Sequence, residues 1–244
     1  MSLRVVLLAA GRGERLRPLT DARPKALLDV GGVPLLVRAV RELAARGLTR
    51  FTIVDGYLGE MLRAALLEHF PEAWFRFVRN EEWARTNNAV SLQLARTEDP
   101  EPILLLDGDI AFAPRVIDRI LEDPHPNRLG VRTRGTLGAE EMKVRLGPDG
   151  RVVDIGKSID PSLAVGESIG IEVFSAAFCA RLFDVLDRRI GEGPGWSEFY
   201  EASFVEVIRA GEFVHPVDLD ALPCVEIDTE EDLERARSLF VADR

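Results

Sequence analysis

Apolar and polar positions along this chain fall into alternating blocks. Val5, Val6, Leu7 and Leu8 form a continuous apolar run, too short for a helix and stopped by glycine, which predicts a buried strand over 4–10. From Pro34 to about Arg46, Leu35, Leu36, Ala39, Val40 and Leu43 share one helical face, and Gly47 ends the pattern. A strand over 51–54, an amphipathic helix over 58–70 and a strand over 74–78 follow. Thr86 or Asn87 is placed to cap a helix through Leu94, 102–106 reads as a core strand, and Pro114 opens a further helix. This alternation predicts right-handed βαβ units, a mainly parallel sheet with helices on both faces, and ligands at the carboxyl ends of the strands.

From Asn127 the pattern changes. Short strands over 130–133, 142–146, 152–156 and 168–174, with a turn at 147–150, predict a small antiparallel extension beside the parallel core. The segment 195–208 reads as an amphipathic helix, because Trp196, Tyr200, Phe204 and Ile208 recur at every fourth position. Thr229 and Asp232 have the spacing of a capping box before a last helix over 230–241.

Composition narrows the partners. A net charge of −10 argues against nucleic acid or an anionic membrane. No apolar stretch approaches the roughly 18 residues of a membrane span, and the amino terminus lacks the pattern of a secretion signal, so a cytoplasmic protein is expected. Cys179 and Cys224 have no metal-ligand spacing and are expected to be reduced, structural thiols. His69, His125 and His215 fall outside every motif below, so histidine catalysis is not expected. Only three of 31 basic residues are lysine, namely Lys25, Lys143 and Lys157; each is a candidate for a compact ammonium role that guanidinium cannot fill.

The loop after the first strand carries a local charge of +3: Arg12, Arg15, Arg17, Arg23 and Lys25 stand against Glu14 and Asp21. In an acidic chain this suggests an anion pocket. Gly11 and Gly13 let the backbone approach a ligand and present N–H groups to phosphate oxygens. The Walker loop is excluded, since Lys25 lies between Pro24 and Ala26, and the dinucleotide fingerprint is broken by Leu16. Gly11, Gly13, Arg15, Pro18, Thr20, Pro24 and Lys25 do closely resemble the signature of the nucleotidyltransferases that make sugar nucleotides and related activated alcohols.

That resemblance covers essentially the whole chain. It implies a three-layer Rossmann-like α/β fold in a single domain, 1–244, with a nucleotide-binding half to about 125 and an acceptor-binding half from about 126. It also implies Arg15 and Lys25 as catalytic residues, and Ala9, Ala10, Gly11, Arg12 and Gly13 as nucleotide contacts. Thr86, Asn87, Asn88, Ser91 and Leu92 resemble the Thr-Asn-Asn-x-x-Ser-Leu pattern of the cytidylyltransferases acting on phosphocholine and similar small phosphorylated alcohols. An amide with donor and acceptor suits the edge of cytosine, so CTP is the expected nucleotide, although capping alone also favours Thr and Asn there.

Asp107 and Asp109 end a core strand, where carboxylates are expensive unless paired or metal-bound. Resemblance makes Asp109 and Asp228 the Mg2+ ligands, with Asp107 and Glu226 beside them. The stretch from Glu141 to Ile159 is similar to the acceptor side of the same enzymes, which makes Lys143 and Lys157 candidates for the acceptor's phosphate or phosphonate. Core packing explains Trp196 and Tyr200; their faces, near Glu167, Glu198 or Glu201, could instead enclose an ammonium head group.

The function expected is transfer of CMP from CTP to a small phosphorylated or phosphonylated acceptor of the phosphocholine type, with release of pyrophosphate. A sugar-1-phosphate or inositol-phosphate nucleotidyltransferase is the alternative within the class, and a catalytically silent regulatory relative the alternative outside it. A nicotinamide oxidoreductase is disfavoured by Leu16. Homodimerisation stays open.

Overall fold

The computed structural model describes residues 3–241. In chain order, strand β1 (Arg4–Ala9) leads through the basic loop to a short hairpin, β2 (Asp29–Val30) and β3 (Val33–Pro34). Helix α1 (Leu35–Ala44), strand β4 (Phe51–Asp55), helix α2 (Gly59–His69) and strand β5 (Phe75–Arg79) complete two crossover units. Helix α3 (Asn88–Leu94) precedes strands β6 (Ile103–Asp107) and β7 (Ile110–Phe112), and then helix α4 (Pro114–Glu122). Strands β8 (Arg128–Arg132), β9 (Lys143–Leu146), β10 (Val152–Gly156) and β11 (Gly166–Phe174) follow. Helices α5 (Ala176–Gly191) and α6 (Glu201–Arg209), strands β12 (His215–Asp218) and β13 (Cys224–Glu226), and helix α7 (Glu230–Leu239) end the fold.

The main sheet runs β10-β9-β11-β6-β1-β4-β5, with β8 on β11 and β12 on β8. Its centre is parallel: β1 pairs β4 and β6, and β4 pairs β5. β11 enters antiparallel beside β6 and carries the antiparallel extension. Because side chains alternate across a strand, Val5, Leu7 and Ala9 pack under α1, α2 and α4, while Val6 and Leu8 pack under α3, α5 and α6. The result is the three-layer, mainly parallel α/β architecture that the alternation predicts.

The reading has no counterpart for the short strands β2, β3, β7 and β12, and it departs from the structure at two helices. The structure places α5, capped by Ser175 Oγ on the Phe178 N–H, between the last predicted extension strand and Gly195, where the reading has no element. Phe178, Leu182 and Leu186 are its buried stripe. Conversely, residues 195–200 are not the start of a helix. Trp196 ends a 3-10 turn (Pro194–Trp196), and α6 begins at Glu201: the Gly193 and Pro194 carbonyls accept from the Trp196 and Ser197 N–H groups within the turn, while the Trp196 carbonyl accepts from the Asn87 N–H.

Candidate active site

An open cleft of about 680 Å3 lies at the carboxyl ends of β1 and β6, where a parallel sheet presents its loops. The basic loop forms one wall. Gly13 sits at φ +74, and a Cβ there would meet the Lys25 side chain at 3.0 Å, so glycine keeps the path of Lys25 open. Thr20 Oγ1 ties the loop by donating to the Gly13 carbonyl at 2.9 Å. Lys25 Nζ lies 2.6 Å from Asp109 Oδ2 and 2.9 Å from Asp228 Oδ1, and Arg15 donates to Asp228 Oδ2 at 2.6 Å. Burial alone would lower the Lys25 pKa; Asp109 and Asp228 outweigh it, so the ammonium stays charged. Asp228, partly desolvated, is nonetheless held below the usual carboxylate range by Lys25 and Arg15.

Pairing of β7 with β13 makes this possible. Glu226 faces Ile110 in the ladder, and the Ile227 N–H donates to the Asp109 carbonyl at 3.0 Å, so two segments more than a hundred residues apart present acids to one point. The capping box of Thr229 and Asp232 then fixes the exit of the chain into α7. Asp109, Glu226 and Asp228 offer carboxylate oxygens within 4.8 Å of one another. Asp109 Oδ1 is inaccessible and has no hydrogen-bond partner. Hard oxygen donors converging on an unsatisfied buried oxygen fit a divalent cation that keeps waters and substrate oxygens as further ligands. Loss of surrounding water, and then repulsion from Asp109 and Asp228, raise the Glu226 carboxyl.

Asp107 stands apart from that trio. Its Oδ2 accepts from Tyr200 Oη at 2.8 Å, and burial, followed by the charges of Asp109, Glu172, Glu201 and Glu226, pushes it well above the carboxylate range. Gly170, at φ +67, makes room: a Cβ would lie 2.8 Å from Asp107 Oδ2.

Thr86, Asn87 and Asn88 line the cleft, with Asn80, Trp83 and Ser91 beside them. Buried Asn80 is the organiser that sequence reasoning missed; its Nδ2 donates to Thr86 Oγ1 and to Ser91 Oγ, each at 3.1 Å. Asn87 caps α3, its Oδ1 accepting from the Asn88 N–H at 2.8 Å, and its Nδ2 donates to the Ser197 carbonyl. Asn88 Oδ1 accepts from the Tyr200 N–H at 3.0 Å, which leaves the Asn88 amide a donor toward a ligand.

The other expected residues are placed differently from one another. Leu8, Ala10 and Gly11 line the cleft; Ala9, Gly13 and Arg12 do not. Arg12 is spent within its own loop on Asp21 at 3.0 Å and Glu14 at 3.4 Å, and stacks over Tyr57. Lys143 is 1% exposed and outside the cleft lining, its Nζ donating to the carbonyls of Gly138 and Glu141. Tyr200 is fully buried with its hydroxyl on Asp107, so its face is closed to a head group. Trp196 also falls outside the lining; its carbonyl accepts from the Asn87 N–H. Lys157 and Glu167 do line the cleft, Lys157 against Glu140 at 3.3 Å and Glu167 against Arg132 at 3.2 Å. Arg132, Arg134 and Arg235 add positive charge there that no local motif announced.

Glu201 is another buried member of the wall. Burial pushes its carboxyl up to about 7, only partly opposed by its own backbone N–H and by Lys157. A raised carboxyl favours the native state below the unfolded pKa, and that advantage is lost as pH climbs through the folded pKa, here from about 4.5 to about 7. The stability gap between a Glu201→Gln variant and the parent should therefore widen in the variant's favour from pH 5 to pH 8, by on the order of 3 kcal/mol in urea titrations. A gap independent of pH would contradict this.

A basic glycine loop, a carboxylate trio and an amide-lined cleft at the switch of a parallel sheet define a nucleotide-handling α/β protein. Residues 5–196 match the MobA-like NTP transferase domain, and the chain belongs to that family. It is 28% identical, over 98% of its length, to a CMP-5'-(3-aminopropyl)phosphonate synthase of Streptomyces rubellomurinus, and spans 39% of that protein. It is 27% identical to a 2-aminoethylphosphonate cytidylyltransferase of Lancefieldella rimae, covering 93% of this chain and 89% of the relative. The structure of a CTP:phosphocholine cytidylyltransferase from Streptococcus pneumoniae shares the fold with a TM-score of 0.77 at 22% identity, over 98% of this chain and 99% of that one. Among the described residues no helix is long and apolar enough to cross a membrane.

Proposed function

We propose that this nucleotidyltransferase is a Mg2+-dependent cytidylyltransferase that joins CMP from CTP to a phosphate or phosphonate oxygen of a small amino-bearing acceptor, releasing pyrophosphate. The observation that carries the reading is the Arg15–Asp228–Lys25–Asp109 network set beside the Asn87–Asn88 wall of one cleft. The phosphonate and phosphocholine cytidylyl chemistry named for its relatives agrees with it.

The reaction needs no histidine. A phosphate monoester is largely dianionic at neutral pH, so the attacking oxygen requires positioning and charge neutralisation rather than a base. Lys157, with the arginines of the same wall, receives the acceptor anion. Lys25 stays protonated and neutralises charge developing at the α-phosphate, while Arg15 and the backbone amides of Gly11 and its neighbours take the leaving pyrophosphate. Mg2+ bound by Asp109 and Asp228, with Glu226 beside them, supplies Lewis-acid polarisation of the phosphates.

Base choice rests on Asn88. Its free amide donor suits N3 of cytosine, an acceptor; uracil presents a donor at that position. Asn88→Ala should cut the preference for CTP over UTP at least tenfold, read as the ratio of kcat/KM values; an unchanged ratio would remove Asn88 from base recognition. The reading as a whole is tested by pyrophosphate release with Mg2+, four nucleotides crossed with phosphorylated and phosphonylated acceptors. CTP together with an amino-bearing acceptor should be the productive pair, whereas release with sugar 1-phosphates alone would overturn the assignment.

A further inference from the structure

Several acids stand near the acceptor side of the cleft, and most are already occupied: Glu140 meets Lys157, and Glu141 accepts from the Gly138 N–H. Glu198 is bidentate on Arg189 at 2.6 and 2.9 Å and lies outside the cleft lining, and Glu167 faces Arg132. Glu201 is different. It lines the cleft from the first turn of α6, is 6% exposed, and its Oε2 is inaccessible without any hydrogen-bond partner. Among the described residues it forms no ion pair; behind it, Glu172 Oε2 is equally unpartnered, with only Ser168 Oγ on the other oxygen at 3.3 Å. A buried carboxylate without a counterion is strongly unfavourable, and either a proton or a cationic ligand relieves it.

We infer that Glu201 receives the primary ammonium of the acceptor, making the enzyme selective for aminoalkyl phosphates or phosphonates over quaternary and uncharged analogues. The inference rests on the function proposed above. An ammonium donates N–H bonds to a carboxylate; a trimethylammonium has none to give and relies on aromatic faces. Such faces are scarce here. Of the aromatic residues lining the cleft, Phe199 already carries Lys157 Nζ 4.7 Å from its ring centre and Trp83 packs on Tyr57. Lys157, close to Phe199, and Glu201, two residues further along the chain, thus offer adjacent anion and cation receptors for a zwitterionic acceptor.

The test compares 2-aminoethylphosphonate, propylphosphonate and phosphocholine as acceptors with CTP and Mg2+, in the parent and in Glu201→Gln. In the parent the amino acceptor should be used best. In the variant the kcat/KM ratio of 2-aminoethylphosphonate to propylphosphonate should fall at least tenfold, the loss lying in KM for the amino acceptor. A second variant, Glu201→Asp, withdraws the carboxylate by one methylene and should shift preference toward 3-aminopropylphosphonate, which also carries the test if the glutamine variant does not fold. A parent ratio that survives Glu201→Gln would overturn the role of Glu201 while leaving cytidylyl transfer intact. A parent that uses phosphocholine or propylphosphonate as well as the amino acceptor would overturn the selectivity. A parent that releases no pyrophosphate with any acceptor would instead overturn the proposed function, and this inference with it.

Discussion

Replacing Lys25 with alanine is expected to lower kcat about a thousandfold, the scale of removing one preorganised donor from a developing oxyanion. Lys25 also joins Asp109 to Asp228, and its removal leaves Asp109 beside Glu226 without a cation and Asp228 with Arg15 alone. The metal-free variant should therefore lose roughly 3 kcal/mol of stability at neutral pH, the low end for stripping one partner from a buried ion pair. Added Mg2+ should restore much of the stability and little of the rate. Lys25→Arg is expected to rescue poorly. The planar guanidinium cannot place one compact charge between two carboxylates, and the Lys25 side chain already runs 3.0 Å from the Cβ position above Gly13. Near-parental turnover in either variant would remove Lys25 from the chemistry.

Asp109→Asn carries the second large effect, a loss of about a thousandfold in turnover together with weakened Mn2+ binding followed by electron paramagnetic resonance. The informative contrast is Asp107→Asn. Both acids end the same strand region, yet Asp107 gives an oxygen to Tyr200 and stands outside the trio, while Asp109 holds an orphaned oxygen within it. Asparagine at 107 keeps an acceptor for the Tyr200 hydroxyl, so its effect should stay within about tenfold, the loss of a single hydrogen-bond-scale contribution. Equal losses at the two positions would show that strand-end charge, and not cation ligation at Asp109, is what matters.

Much of this site is legible in the sequence because its parts are local. The glycine loop, Lys25, the Asp107–Asp109 strand end and the Thr229–Asp232 capping box each lie within one short window with its own physical signature. The parallel core is legible for the same reason, since β1 and β6 read as continuous apolar runs. What the sequence does not show is what depends on tertiary context. An i, i+4 aromatic stripe is the same string whether it faces a ligand or a core; Tyr200 is interior, and Gly193-Pro194 breaks the helix before Trp196 can join the stripe. Lys143 has the composition of an anion receptor, but two loop carbonyls claim its donors. Asn87 lines the cleft, but its Oδ1 caps α3 and one of its N–H donors goes to the Ser197 carbonyl. The arginine wall of Arg132, Arg134 and Arg235 gathers three positions from two distant segments, so no window contains it.

The arrangement would also link the two proposed substrates. Asn88, Tyr200 and Glu201 form one connected path, since the Tyr200 N–H is bound by the Asn88 side chain and Glu201 follows Tyr200 at the start of α6. Tyr200 in turn donates to Asp107, at the end of β6. Hydrogen bonds through Tyr200 thus tie the start of α3, the end of β6 and the start of α6 together.

The most direct measurement is 31P nuclear magnetic resonance of the full-length protein with CTP, 2-aminoethylphosphonate and Mg2+. Attack of the phosphonate oxygen on the α-phosphorus predicts paired resonances of a new phosphonate–phosphate anhydride, growing in step with free pyrophosphate and absent when either substrate or the metal is withheld. CMP and pyrophosphate formed at the same rate without the acceptor, or an acceptor resonance that never changes while CTP is consumed, would contradict cytidylyl transfer.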